Sequence, residues 1–90
     1  MELEGKIAVV TGAASGIGRR TACMLADGSV AALALVDMDV NGLEETAADI
    51  NTARTLQINC DVSDEVALRA LYERVTAECR GLDIVFIMPG

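Results

Sequence analysis

The stretch Thr11-Gly12-Ala13-Ala14-Ser15-Gly16-Ile17-Gly18 lies between a short β-branched run and a segment of helical period. In that context each glycine has its own use. Gly12 lets the chain leave a strand in a tight turn, and Gly16 leaves room for an oxyanion to approach the backbone. Gly18 allows the helix to pack close to the strand. Free N–H groups in the first helical turn, at the positive end of the helix dipole, would then hold a pyrophosphate. The spacing is Gly-x-x-x-Gly-x-Gly, not the commoner Gly-x-Gly-x-x-Gly, and no Gly-Lys-Ser/Thr follows to make a P-loop. Glycines also mark strand-to-helix turns that hold no ligand, so the loop takes its meaning from what lies downstream.

Asp37 is the first such residue. It closes a second buried run and follows Gly18 by about 20 residues, where a carboxylate binds the hydroxyls of an adenosine ribose. A 2′-phosphate there would bring about −2 of charge beside the existing carboxylate. Met38 and Asp39 follow Asp37, and Ser15 precedes Gly16, so no basic residue offers relief. NAD is therefore expected over NADP, unless Asp37 is only a polar strand end. Asp61-Val62, after a third run, falls on the same edge of the sheet. There Asp61 could accept from an adenine amino group while Val62 packs on the ring, or Asp61 could help to cap the next helix.

Other chemistries lack their residues. The chain has no histidine, so neither a zinc site nor a Ser-His pair can be built in the usual way. Cys23, Cys60 and Cys79 are odd in number and widely spaced, which reads as reduced thiols and not a disulfide framework.

The elements that must position these residues alternate along the chain. Ile7 to Val10 reads as a buried strand, and Ile17, Thr21, Met24 and Leu25 then share one helical face. Gly28 stands where a helix end favours positive φ. Val30 to Val36 is the second buried run. Asp39 can cap a helix with the inward stripe Val40, Leu43, Ala47 and Ile50. Thr55 to Asn59 forms a third strand. Ser63 is the expected N-cap of a third helix, with Asp64 and Glu65 favoured by its dipole and Leu68, Leu71, Tyr72, Val75 and Cys79 on one face. A fourth strand spans Ile84 to Met88. Crossovers of this length call for parallel pairing with helices on both faces. The expected fold is α/β, a Rossmann-type doubly wound parallel sheet of strand order 3-2-1-4, truncated after the fourth strand. Its ligand crevice lies at the carboxyl end of strand 1, between strands 1 and 4.

Composition bounds the partners. The apolar fraction of 52% fits a globular interior. A net charge of −7, with no basic cluster beyond Arg19-Arg20, argues against nucleic acid. The apolar run Val30 to Val36 is far shorter than the roughly 18 residues of a membrane helix. Met1-Glu2-Leu3-Glu4 lacks the basic start of a signal peptide, and a cytoplasmic location is expected.

Thr11 to Gly18, Asp37, Cys60-Asp61-Val62-Ser63-Asp64 and Leu82-Asp83-Ile84-Val85 together resemble the N-terminal part of the short-chain dehydrogenase/reductase family. The resemblance covers essentially all 90 residues, as the N-terminal part of a single NAD(P)-binding domain. It implies that Gly12, Ser15, Gly16, Ile17 and Gly18 surround the pyrophosphate and its ribose. Asp37 would bind the adenosine ribose, Met38 would lie beside the adenine, and Asp61 and Val62 would contact it. Thr11 would tie its loop to the neighbouring strand. Members of this family move a hydride between a nicotinamide and an alcohol or carbonyl carbon.

Two departures stand out. Ile87-Met88-Pro89-Gly90 replaces the family's Asn-Asn-Ala-Gly, and neither Ile87 nor Met88 can make an amide hydrogen bond, while Pro89 lacks an N–H. The family's catalytic Ser and Tyr-x-x-x-Lys fall beyond Gly90. Tyr72 is followed four residues on by Thr76 and does not supply that pair. No catalytic residue is named, and these residues alone are expected to be inactive. The expected function is the cofactor-binding portion of an NAD-dependent oxidoreductase acting on a small alcohol or carbonyl substrate. The alternative is a non-catalytic nucleotide-binding or interaction module on half of the same fold. A sheet ending at the fourth strand also exposes an apolar edge, and self-association through it is expected.

Overall fold

In a computed structural model, which describes residues 3–87, strands and helices alternate strictly. β1 (Ile7–Thr11) leads to α1 (Gly16–Asp27), β2 (Ala32–Asp37) to α2 (Val40–Ala48), and β3 (Arg54–Asn59) to α3 (Glu65–Cys79) before β4 (Ile84–Phe86). All pairings are parallel, and the strand order is β3-β2-β1-β4. The α/β fold and its order 3-2-1-4 are as the sequence implies.

The alternation of side chains along each strand divides the core in two. Ala8, Val10, Leu33 and Leu35 pack with Ala22, Leu25 and Ala26 of α1 and Leu43 of α2. Val9, Ala34, Val36 and Ile58 point to the other face, against Leu71 and Val75 of α3. β1 and β2 are thus covered on both sides, and their apolar runs need no polar alternation. The register Thr11 opposite Val36 and Asp37 opposite Asn59 brings the carboxyl ends of the three strands to one edge.

Several local expectations are corrected. The inward face of α1 is Gly18, Ala22, Leu25 and Ala26, whereas Ile17 and Met24 are 74% and 65% exposed. Small residues win that face because the helix lies against the loop before it: a Cβ on Gly18 would run into the carbonyl oxygen of Gly12. Positive φ at the end of α1 falls on Ser29 (70°), not on Gly28, whose φ is −80°. Gly28 meets a spatial demand instead, since a Cβ there would collide with the Leu3 side chain.

Asp39 caps α2 as expected, accepting from Gly42 N–H at 3.0 Å. In the predicted stripe Leu43 and Ile50 are buried and Ala47 half-buried, but Val40, in the first turn, is exposed. The cap of α3 is Asp64, which accepts from Val66 and Ala67 N–H at 3.0 and 3.3 Å. Ser63 does not cap, because its amide and hydroxyl both turn back to Asp61. β4 ends at Phe86, leaving Ile87 outside it. The expectations for Met88, Pro89 and Gly90 lie outside the described residues.

Candidate functional site

β1 delivers the glycine loop to the carboxyl edge of the sheet. Gly12 and Gly16 have φ of 68° and 59°, a region that residues with a Cβ enter at a cost, so the backbone itself demands glycine at both. Ser15 occupies the N-cap of α1 with extended backbone, and its side chain does not cap. The bond from Arg19 N–H to the Ser15 carbonyl, 3.3 Å, opens the α-helical ladder. The amides of Gly16, Ile17 and Gly18 lie ahead of it, where a helix has donors to offer a ligand. Ser15, Gly16 and Ile17 are exposed. Thr11 donates to the Phe86 carbonyl at 3.4 Å and so ties the base of the loop to β4, the structural role expected of it.

Asp37 is half-buried at the end of β2 and faces the loop. Its Oδ2 accepts from Ala14 N–H and its Oδ1 from Asp39 N–H, both at 3.1 Å. A carboxylate has about four lone-pair positions, so two backbone bonds leave acceptor capacity for ribose hydroxyls. Arg19, in the first turn of α1, is held by α2: it donates to Thr46 Oγ1 at 2.8 Å and pairs with Glu45 at 3.1 Å.

Gly12, Asp37, Met38, Asp61 and Val62 line one cleft of about 210 Å³, together with Val36 and Cys60. Pockets for a whole ligand run to roughly 300–1,000 Å³, so this cleft has the size for one end of a dinucleotide. Cys60 N–H bonds to the Asp37 carbonyl and Asn59 Nδ2 to the Met38 carbonyl, at 3.4 and 2.9 Å, which fixes its two walls together. Asp61 is exposed at the rim. Its Oδ1 accepts from both the hydroxyl and the amide of Ser63, at 2.6 and 3.0 Å, and these bonds hold its carboxyl below the usual range. It is an ionised acceptor at neutral pH, and it shapes the turn before α3 without capping the helix. Burial, then the charges of Asp61 and Asp64, push the Cys60 thiol up, so it forms a neutral apolar wall.

Five of the nine predicted residues therefore share the cleft. Ser15, Gly16, Ile17 and Gly18 adjoin it through the loop that Gly12 begins. Sequence reasoning missed the Ala14 amide, which has no side-chain signature, and Cys60, whose strand-end position next to Asp61 was a usable signal. Tyr72 packs half-buried against the α3-side core, away from this edge.

A family model described as short chain dehydrogenase matches residues 6–88. The chain belongs to the short-chain dehydrogenase family. It is 35% identical over 89 residues to a mitochondrial (-)-isopiperitenol/(-)-carveol dehydrogenase of Mentha piperita, a match covering 99% of this chain and 34% of that protein. A short-chain dehydrogenase/reductase from Burkholderia phymatum in complex with NAD superposes with a TM-score of 0.88 at 30% identity, over 94% of this chain and 31% of that one. NAD+-bound xylitol dehydrogenase gives a TM-score of 0.87 at 31% identity, over 94% and 33%. The chain spans about a third of the length of these short-chain dehydrogenases and corresponds to their N-terminal portion. Among the described residues no helix is long and apolar enough to cross a membrane.

Proposed function

We propose that these residues are the cofactor-binding portion of an NAD-dependent oxidoreductase, with residues 1–90 forming the N-terminal part of a single dinucleotide-binding domain. In this reading the amides around Ser15, Gly16, Ile17 and Gly18 hold the pyrophosphate, and Gly12 lets it approach. Asp37 takes the adenosine ribose, while Met38, Asp61 and Val62 surround the adenine. The observation that carries the reading is Asp37, fixed by the Ala14 amide beside the glycine loop and lining the same cleft as Asp61 and Val62. The dinucleotide, when bound, supplies a ring that exchanges a hydride with an alcohol or carbonyl carbon. The chain's own residues bind and orient it. The sequence has no histidine and no Tyr-x-x-x-Lys pair to give a carbonyl oxygen its proton, so in this reading turnover draws on groups beyond these residues.

The substrate class, a small alcohol or its carbonyl counterpart, rests on the named carveol and xylitol dehydrogenases. Three free cysteines fit a reducing cytoplasm; the mitochondrial relative makes cell fractionation the test of location. Calorimetry tests the cofactor. NAD should bind at least about tenfold more tightly than NADP, and Asp37→Ala should weaken NAD by roughly 10- to 100-fold, the size of a lost charge-assisted hydrogen bond. Preference for NADP by the unsubstituted protein would overturn the assignment.

A further inference from the structure

The side of the glycine loop away from the cleft is braced by α2. Thr46 lies in the last turn of that helix and is fully buried, at 0% exposure. A buried helical threonine commonly satisfies itself on the carbonyl four residues back, and Thr46 Oγ1 does lie 3.1 Å from the Gly42 carbonyl. It lies nearer, at 2.7 Å, to the carbonyl of Ala13 in the glycine loop. The hydroxyl has one proton, and Arg19 Nε–H at 2.8 Å occupies an oxygen lone pair. That donor leaves the proton free to point at a carbonyl, with the shorter contact favoured.

Arg19 belongs to the first turn of α1, the turn whose amides are to meet the pyrophosphate. Its guanidinium also reaches the Gly42 carbonyl and Glu45, at 3.4 and 3.1 Å. Gly42 brings α2 within reach: a Cβ there would stand 2.6 Å from Ala14 Cβ and 2.9 Å from the Ala14 carbonyl. Ala13 N–H bonds to the Val36 carbonyl at 3.1 Å and Ala14 N–H to Asp37. The loop is thus held by β2 through its amides and by α2 through its carbonyl. A Gly-rich loop has many backbone conformations to lose, and fixing it before the ligand arrives lowers the cost of binding.

We infer that Thr46, oriented by Arg19, is a positioning residue for the pyrophosphate loop, acting from α2 without touching the ligand. The inference rests on the dinucleotide reading above and adds a residue to it. Thr46→Val keeps shape and removes the hydroxyl, and Thr46→Ser keeps the hydroxyl. In the full chain, Thr46→Val should weaken NAD roughly tenfold, as expected where a buried carbonyl loses its donor, while adenosine, which has no phosphate, changes by less than about twofold. Thr46→Ser should restore NAD binding. Equal losses for NAD and adenosine would indicate a merely destabilised fold and overturn the proposal, as would no loss for either. If Thr46→Val does not fold, Arg19→Met carries the same test, with a selective loss of about threefold expected and unchanged NAD affinity overturning it. Failure of the unsubstituted protein to bind NAD would overturn the dinucleotide reading as well, whereas NAD binding without a selective loss overturns this inference alone.

Discussion

At Asp61 a hydroxyl and an amide from one residue, Ser63, converge on a single carboxylate oxygen and lower the group's pKa. A folded-state pKa below the unfolded one contributes stability above the unfolded value, and that contribution fades as pH falls through the folded one. Asp61 is therefore ionised throughout the neutral range. In a carboxyl NMR titration its midpoint should lie below the reference of about 3.9 and rise in Ser63→Ala; an unmoved midpoint would rule out this cause. Cys60 behaves in the opposite sense. Its raised pKa favours the fold below the ordinary thiol value, and the advantage is lost as pH climbs past it. Alkylation at pH 8 should reach half-buried Cys23 and Cys79 before Cys60, and NAD should slow Cys60 further; labelling of Cys60 first would contradict its place in the wall. Asp37 was legible in the sequence because its type, its strand end and its distance from the loop all agree. Its bond to Ala14 was not, since a backbone amide is the same at every position.

Among the elements, the start of α3 offered three capping residue types in Asp61, Ser63 and Asp64. The exit direction of the chain from β3 decided among them. Asp64 meets the first-turn amides, while Asp61 and Ser63 are spent on the turn before it. Asp64→Ala should therefore cost about 0.5–2 kcal/mol in urea denaturation, and Ser63→Ala less. A larger loss for Ser63→Ala would reverse the assignment. The orientation of α1 has a similar origin. Periodicity favoured the larger apolar side chains Ile17 and Met24, but a helix held this near its own loop must present Gly18 and Ala22. Hydrophobic pattern registers which residues dislike water; it does not register how near two backbones must come.

For the molecule as a whole, β3 and β4 are the outer strands of the sheet among the described residues. β4 is three residues long, with Val85 41% and the following Ile87 62% exposed. Unpaired edge groups beside exposed apolar side chains template pairing with another chain. Residues 1–90 produced alone should associate in a concentration-dependent way in sedimentation velocity, and Val85→Lys should shift the distribution towards monomer. A cooperative melt as a monomer at high concentration would refute this. The two-sided core makes the contrast with β1 and β2, which are buried on both faces and expose no such edge.

The sequence by itself determined the alternation of strands and helices, from which the doubly wound arrangement implies the parallel order 3-2-1-4, and the glycine loop with its downstream carboxylate. Each is written in local pattern: apolar runs, turn residues and fixed separations along the chain. Only the tertiary structure decided that Asp37 holds the Ala14 amide, that Cys60 walls the cleft, and that Thr46 reaches the Ala13 carbonyl from a helix more than 30 residues away. Those contacts join backbone groups and distant segments, and their geometry exists only once the sheet has set the separation of β1, β2 and α2.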